Sequence, residues 1–270
     1  MSGQLEGKRV LVVGASAGIG RAIATELVGR GAEVAFCARR KDVLEIAVAQ
    51  AGGGTVVAGD VRDADDCGRI VEDAVAALGG LDALCYAAAV SPLKLLTDTT
   101  VDDWRRVLDT NVVGAALVTR AAVPHLGPGA VVAYLSSESV GRPRHGLVAY
   151  AASKLALEEL IRGFRVEHPE LRFAKVTVGA TIGTEFGLEF DLELAGRLFP
   201  LWIAHGEMRK NYMEPPEVGE VVVDHLASSL RHPTVDVQEI VIRPPGPLLT
   251  DVAEMIGQLE EATGAADPGT

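Results

Sequence analysis

The chain has 270 residues, 37 acidic and 25 basic, for a formal net charge of −12. That charge repels nucleic acid and anionic membrane over most of the surface, which excludes both as partners. A 48% apolar content excludes a disordered chain, and with 4% aromatics the core must be aliphatic, so any anion site must be local.

Short β-rich apolar runs alternate with helical stretches from end to end. Strands are predicted at Val10–Val13, Glu33–Cys37, Thr55–Ala58, Ala83–Tyr86, Ala130–Leu135, Phe173–Val178 and Glu239–Ile242. Their near-continuous apolar character suits strands buried on both faces of a parallel sheet. Helices are predicted at Ile19–Arg30, Asp42–Ala51, Asp63–Leu78, Asp102–Ala122, Leu147–Arg165 and Pro216–Leu230. Asp63 with Asp66, and Thr100 with Asp102 and Asp103, are helix-start signals. The alternation predicts an α/β fold, a doubly wound Rossmann-type parallel sheet of about seven strands with helices on both faces. No linker divides the chain, so residues 1–256 are expected to form one domain and residues 257–270, small and polar, a loose tail.

Cys37, Cys67 and Cys85 lie 30 and 18 positions apart, a spacing that suits neither a disulfide framework nor a metal site. The run Val10–Val13 is too short for a signal peptide, and no stretch approaches ~18 uninterrupted apolar residues. A cytoplasmic protein without membrane span or metal is expected.

Between the first strand and first helix stand Gly14, Gly18 and Gly20. Glycines there let a pyrophosphate approach the N–H groups of Ile19 and its neighbours at the helix start. The same stretch spells Gly14-x-Ser16-x-Gly18, a nucleophile-elbow pattern, but Ser16 follows the first strand and no histidine is an obvious partner. Dinucleotide folds that take NAD place an acid about 20 residues beyond this loop. Here the position reads Cys37-Ala38-Arg39-Arg40-Lys41, and two guanidinium groups can fork onto a 2′-phosphate. A solvated basic cluster is the bland alternative, although cations at a helix start are disfavoured. NADP(H) is therefore expected. Asp60-Val61, past the third strand, suits either an adenine contact or a helix cap.

Tyr150 and Lys154 are four apart on a predicted helix, so phenol and ammonium share one face. A nearby cation favours phenolate, which would bring Tyr150 towards the working pH as a proton donor to a nascent alkoxide. The pair follows a strand ending in Ser136-Ser137.

In this order and spacing, the glycine loop, Asp60-Val61, Asn111 in a long helix, the serines and Tyr150-x3-Lys154 resemble the short-chain dehydrogenase/reductase family over residues 8–186. The resemblance implies a carbonyl-reducing or alcohol-oxidising enzyme using NADP(H), with a Ser137–Tyr150–Lys154–Asn111 site. Ser137, or alternatively Ser139, would hydrogen-bond the substrate oxygen. Lys154 would also bind the nicotinamide ribose, and Asn111 would hold a relay water through a helix kink. The family's Asn-Asn-Ala-Gly is replaced by Tyr86-Ala87-Ala88-Ala89, with Ala87 expected beside the cofactor. Its usual Pro-Gly is replaced in Val178–Thr184, with Ile182 and Thr184 the candidates for the nicotinamide end. The resemblance also implies a substrate lid at residues 184–213 and a homodimer or homotetramer built on the two long helices. Five of the twelve aromatics, Phe186, Phe190, Phe199, Trp202 and Tyr212, fall in that lid. They would cover a partly apolar carbonyl or alcohol substrate, or merely pack the lid's inner face. His145, His205, Arg209 and Lys210 are further candidates to line the site.

Overall fold

Val10 and Val12 pack into one apolar cluster and Leu11 and Val13 into another, as the period-two alternation of a strand requires when both faces are covered. In the computed structural model, which describes residues 4–251 and 253, this pattern repeats across seven parallel strands. They are β1 (Arg9–Val13), β2 (Glu33–Ala38), β3 (Thr55–Ala58), β4 (Leu81–Tyr86), β5 (Leu126–Ser137), β6 (Arg172–Val178) and β7 (Glu239–Ile242). The expected tail lies outside the described residues. The helices are α1 (Gly18–Gly29), α2 (Lys41–Ala51), α3 (Ala64–Leu78), α4 (Val101–Leu108), α5 (Gly114–Ala122), α6 (Val148–Glu167), α7 (Leu192–Ala204) and α8 (Pro215–Arg231). No helix among the described residues is long and apolar enough to cross a membrane.

The sheet order is β3-β2-β1-β4-β5-β6-β7. From β1 the chain first winds outward to β2 and β3, then returns to place β4 on the other side of β1. A crevice opens at that reversal, beyond the C-terminal ends of β1 and β4. Ile23 and Leu27 of α1, Leu44 of α2 and Val222 of α8 cover one face of the sheet. Ile70 of α3, Val118 of α5 and Leu157 and Ile161 of α6 cover the other. The Asp63 side chain caps α3 by accepting from the Asp65 and Asp66 amides, and Thr100 with Asp103 forms a capping box on α4.

Two helical elements differ from expectation. The continuous helix predicted over 102–122 is interrupted by a π-turn, Asp109–Val113, where the Gly114 amide reaches back to the Asp109 carbonyl, at the place where the family resemblance implied a kink at Asn111. The Tyr86 hydroxyl donates to the Thr110 carbonyl at 2.6 Å, so the end of β4 supplies a partner within the widened turn. The helix α7 was not expected, because Gly196 and Pro200 lower helical propensity. Asp191 caps it, and Leu198 and Trp202 pack its inner side onto Leu93 and Leu147.

Gly114 is needed beside the π-turn. A Cβ there would lie 2.7 Å from the Val61 carbonyl oxygen and 2.8 Å from the Tyr86 hydroxyl. Gly114→Ala is expected to lower unfolding free energy by about 1–3 kcal/mol in urea, since both neighbours are held in place. Gly163, exposed on α6 with open space around it, is the control. Gly163→Ala should raise stability by about 0.5–1 kcal/mol.

Candidate active site

The crevice at the strand ends is a cleft of about 540 Å³, with the glycine loop at one end and the α7 region at the other. Gly14 has φ +91°, and a Cβ there would meet the Ala88 amide nitrogen at 2.6 Å. Only glycine lets the segment after β4 cross so closely. The Gly14 and Ala15 amides both donate to the Cys37 carbonyl, which ties the loop to β2. Ala17 stands at the N-cap of α1 without a side-chain acceptor, leaving the first amides of the helix available to a ligand. Ser16, Gly18, Ile19 and Gly20 line the same wall. These features fit a dinucleotide pyrophosphate.

Arg39, Arg40, Asp60 and Val61 line the next part of the cleft. Arg40 donates from one guanidinium nitrogen to both oxygens of Glu185, at 2.8 and 2.6 Å, and lies 3.4 Å from the Ser16 hydroxyl. Ser16 therefore faces an arginine, and no histidine lines the cleft, which leaves the nucleophile-elbow pattern without a base. Asp60 is held by Arg62, whose side chain and amide both donate to it. Those bonds hold the Asp60 carboxyl below its ordinary range. Asp63, not Asp60, caps the following helix, so the capping alternative for Asp60 falls away.

At the centre, β5 ends on Ser137, whose hydroxyl accepts from the Ser139 hydroxyl at 2.9 Å and from its amide at 3.2 Å. Tyr150, in the first turn of α6, interacts with Ser137. Ser139 thus supports Ser137 rather than replacing it at the phenol. Lys154, one turn further, is buried and donates to the Leu135 carbonyl at 2.8 Å. Its ammonium lies 5.8 Å from the Tyr150 ring centre.

The electrostatics depart from the expected Lys–Tyr coupling. Burial pushes the Tyr150 phenol up to about 12, and the opposing influences are Ser137 and then the Arg144 guanidinium, not Lys154. Burial pulls Lys154 down to about 8, partly offset by Glu158. The physical reason is that desolvation of two buried groups outweighs their mutual effect across the ring.

The Lys154 shift makes a stability prediction. The unfolded chain titrates this amine near its ordinary 10.5, the folded chain near 8. Between these values the unfolded state binds more protons, so Lys154 makes stability rise with pH across that window. The destabilisation is complete below about 8. The advantage of Lys154→Met over wild type in urea unfolding should therefore shrink by about 3 kcal/mol as pH rises from ~8 to ~10.5.

Asn111 sits fully buried in the π-turn. Its amide donates to the Val90 carbonyl at 3.0 Å and to the Ser153 hydroxyl at 2.9 Å, and its carbonyl accepts from the Val90 amide at 2.9 Å. Asn111 clasps the chain after β4 against α6.

The short chain dehydrogenase family model matches residues 8–188. The chain belongs to the short-chain dehydrogenase/reductase family. A relative from Arabidopsis thaliana, 11-beta-hydroxysteroid dehydrogenase-like 2, is 37% identical over 169 residues, or 60% of this chain and 54% of that protein. The chain spans about half the length of the curated relatives it matches. A short chain dehydrogenase from Burkholderia cenocepacia, solved in complex with NADP, superposes with TM-score 0.77 at 27% identity, over 89% of this chain and 98% of that one. An alcohol dehydrogenase from Thermococcus sibiricus, complexed with 5-hydroxy-NADP, superposes with TM-score 0.75 at 25% identity, over 87% and 96%.

Against the family pattern, Tyr86-Ala87-Ala88-Ala89 keeps its place by other means. Tyr86 holds the π-turn, the Ala87 amide donates to the Val13 carbonyl, and Ala87 lines the cleft. Ile182 and Thr184 also line it: the Ile182 amide donates to the Met213 carbonyl, and Thr184 lies against Gly18 and accepts from the Phe186 amide. Phe186, Phe190, Trp202 and Tyr212 line the cleft, whereas Phe199 packs into the α7 cluster. His145 and His205 stack on each other, 5.2 Å between ring centres, and do not line the cleft. Arg209 is tied to the Gly246 carbonyl outside it.

Sequence reasoning missed Arg144 and Arg106, which line the cleft as ion pairs with Glu138 and Glu189 respectively. Arg144 also lies 5.7 Å over the Trp202 ring. The basic residues before Tyr150 were the available signal, but the pairing partners were not legible.

Proposed function

We propose that this protein is an NADP(H)-dependent oxidoreductase that interconverts a carbonyl and an alcohol. The observation that carries this reading is the meeting of Ser137, Tyr150 and Lys154 in one cleft with an uncapped glycine-loop helix and Arg39/Arg40. The α1 amides would hold the pyrophosphate, the two arginines the 2′-phosphate, and Lys154 the nicotinamide ribose. Asp60 and Val61 face the adenine side, and Ala87, Ile182 and Thr184 border the cofactor's path through the cleft. When bound, NADPH supplies the hydride for the carbonyl carbon.

The chain's residues do the rest. Ser137 donates a hydrogen bond to the substrate oxygen and orients it toward Tyr150. Tyr150, a neutral phenol at neutral pH whose proton burial holds more firmly still, gives that proton to the oxygen as negative charge develops there. Lys154, close to half-titrated at about pH 8, is placed to sustain that transfer. The Asn111 side chain, spent on Val90 and Ser153, holds the chain after β4 in place, and its backbone in the widened turn would hold the relay water.

The test follows NADPH absorbance with a panel of aldehydes, ketones, quinones and β-keto thioesters. Saturable consumption, with NADPH favoured over NADH, is expected. Stoichiometric NADPH binding with no oxidation across the panel would instead mark a nucleotide-binding protein without redox chemistry.

Residues 1–256 would act as one unit, with residues 184–213 as the lid over a partly apolar substrate. Self-association through the two long helical columns completes the proposal, as a homodimer or homotetramer. Val101 and Val113 on the α4–α5 column and Leu155 and Val166 on α6 are exposed aliphatic residues in the free chain. Light scattering should return a multiple of the chain mass, and a clean monomer would overturn it. The three cysteines, all free and buried, suit a reducing, cytoplasmic setting.

A further inference from the structure

The charges lining the cleft largely cancel in pairs. Arg40 meets Glu185, Arg106 meets Glu189, Arg144 meets Glu138, and Asp60 meets Arg62. Glu207, in the loop after α7, is the cleft-lining carboxylate that forms no ion pair among the described residues. Its Oε2 is buried and has no hydrogen-bond partner among the described residues. Ser91, only 5% exposed, also lines the cleft with a buried hydroxyl that has no partner among the described residues. A buried polar atom left unpaired costs about 1–3 kcal/mol, and more when charged, so both oxygens call for a ligand.

Their surroundings narrow the ligand's chemistry. Leu93, two residues from Ser91, and Met208, next to Glu207, belong to one apolar cluster with Trp202. Tyr150, Phe186, Phe190 and Tyr212 complete an aromatic lining. An ionised carboxylate accepts hydrogen bonds and donates none, and aromatic faces attract cations. We propose that Glu207, assisted by Ser91, is a specificity residue that selects carbonyl or alcohol substrates bearing a protonated amine away from the reacting carbon. The net charge of −12 acts in the same direction, favouring the approach of cations over anions. This inference rests on the proposed carbonyl–alcohol chemistry at the same cleft.

The experiment compares kcat/KM for three matched aldehydes: para-(dimethylaminomethyl)benzaldehyde, cationic at neutral pH, para-isopropylbenzaldehyde, neutral, and para-carboxybenzaldehyde, anionic. The cationic compound is expected to lead the neutral one by about tenfold, equivalent to ~1.4 kcal/mol, with the anionic one last. In Glu207→Gln that ratio should collapse toward one, and Glu207→Asp should restore part of it. A structural role for Glu207 would change all three rates together and leave the ratio intact, which overturns the proposal. Equal wild-type rates for the cationic and neutral compounds overturn it without any variant.

A separate readout protects against failure of the enzymatic reading. Calorimetry on the NADPH-loaded protein with benzylammonium, benzyl alcohol and benzoate reports the site without turnover, because the reduced cofactor cannot accept hydride from the alcohol. Tightest binding of benzylammonium, lost in Glu207→Gln, supports the proposal even if no aldehyde is reduced. Equal binding of the amine and the alcohol overturns it.

Discussion

Tyr150→Phe is expected to reduce kcat for carbonyl reduction by about 10²–10⁴-fold while leaving the NADPH Kd within about twofold of wild type. The substitution removes one oxygen and keeps the ring. The ring packs edge-on to Phe186, 5.0 Å between centres, so the wall of the cleft should persist. What disappears is the proton donor and its contact with Ser137. Ser137→Ala should cost less, because the phenol remains to polarise the substrate oxygen. The pH profile distinguishes the roles. With the phenol near 12, the reduction rate should not be limited by loss of the Tyr150 proton anywhere near neutrality. A basic limb near pH 8 would instead report Lys154, and the oxidation direction should accelerate with pH as phenolate becomes accessible. An unchanged rate in Tyr150→Phe would remove Tyr150 from the chemistry.

The strands were legible because burial on both faces leaves a local signature. Val10–Val13 and Ala130–Leu135 are continuous apolar runs whichever face each residue takes. Tyr150 and Lys154 were legible for a different reason: residues four apart on a helix share a face before any tertiary contact is considered. The pKa order was not legible, since it follows from burial that only the packed α6 and β5 reveal. The residues by themselves did not show the π-turn either, since it depends on Tyr86 approaching Thr110 across 24 positions; the kink at Asn111 was implied by the family resemblance alone. β5 begins earlier than expected because Leu126 pairs with Leu81 across a bulge, so Gly127–Gly129 enter a strand despite poor propensity. The same limit hid the ion pairs of the cleft: Arg40–Glu185 spans 145 positions and Arg106–Glu189 spans 83.

The Arg40–Glu185 pair makes the cofactor prediction two-sided. Arg39→Ala with Arg40→Ala should weaken NADPH binding by about 10²-fold, the loss of charge-assisted hydrogen bonds worth ~1.5–3 kcal/mol each, discounted for exposure. NADH binding should change by less than about twofold, because it carries no 2′-phosphate for the guanidinium groups to meet. Glu185→Gln should act in the opposite direction. In the free protein Glu185 holds the guanidinium group that the 2′-phosphate needs, so binding must displace a carboxylate from Arg40. Both side chains are about half exposed, which limits the pair to ~1 kcal/mol or less and the gain in NADPH affinity to about fivefold. Added salt should erase the Glu185→Gln gain, since a half-exposed pair is already screened there. Calorimetric titration of both cofactors into the three proteins checks every arm. An NADPH Kd unmoved by the double substitution would place the cofactor preference somewhere other than the end of β2. A Kd unmoved by Glu185→Gln alone would leave the arginines in their role and remove the competition between the lid and the phosphate.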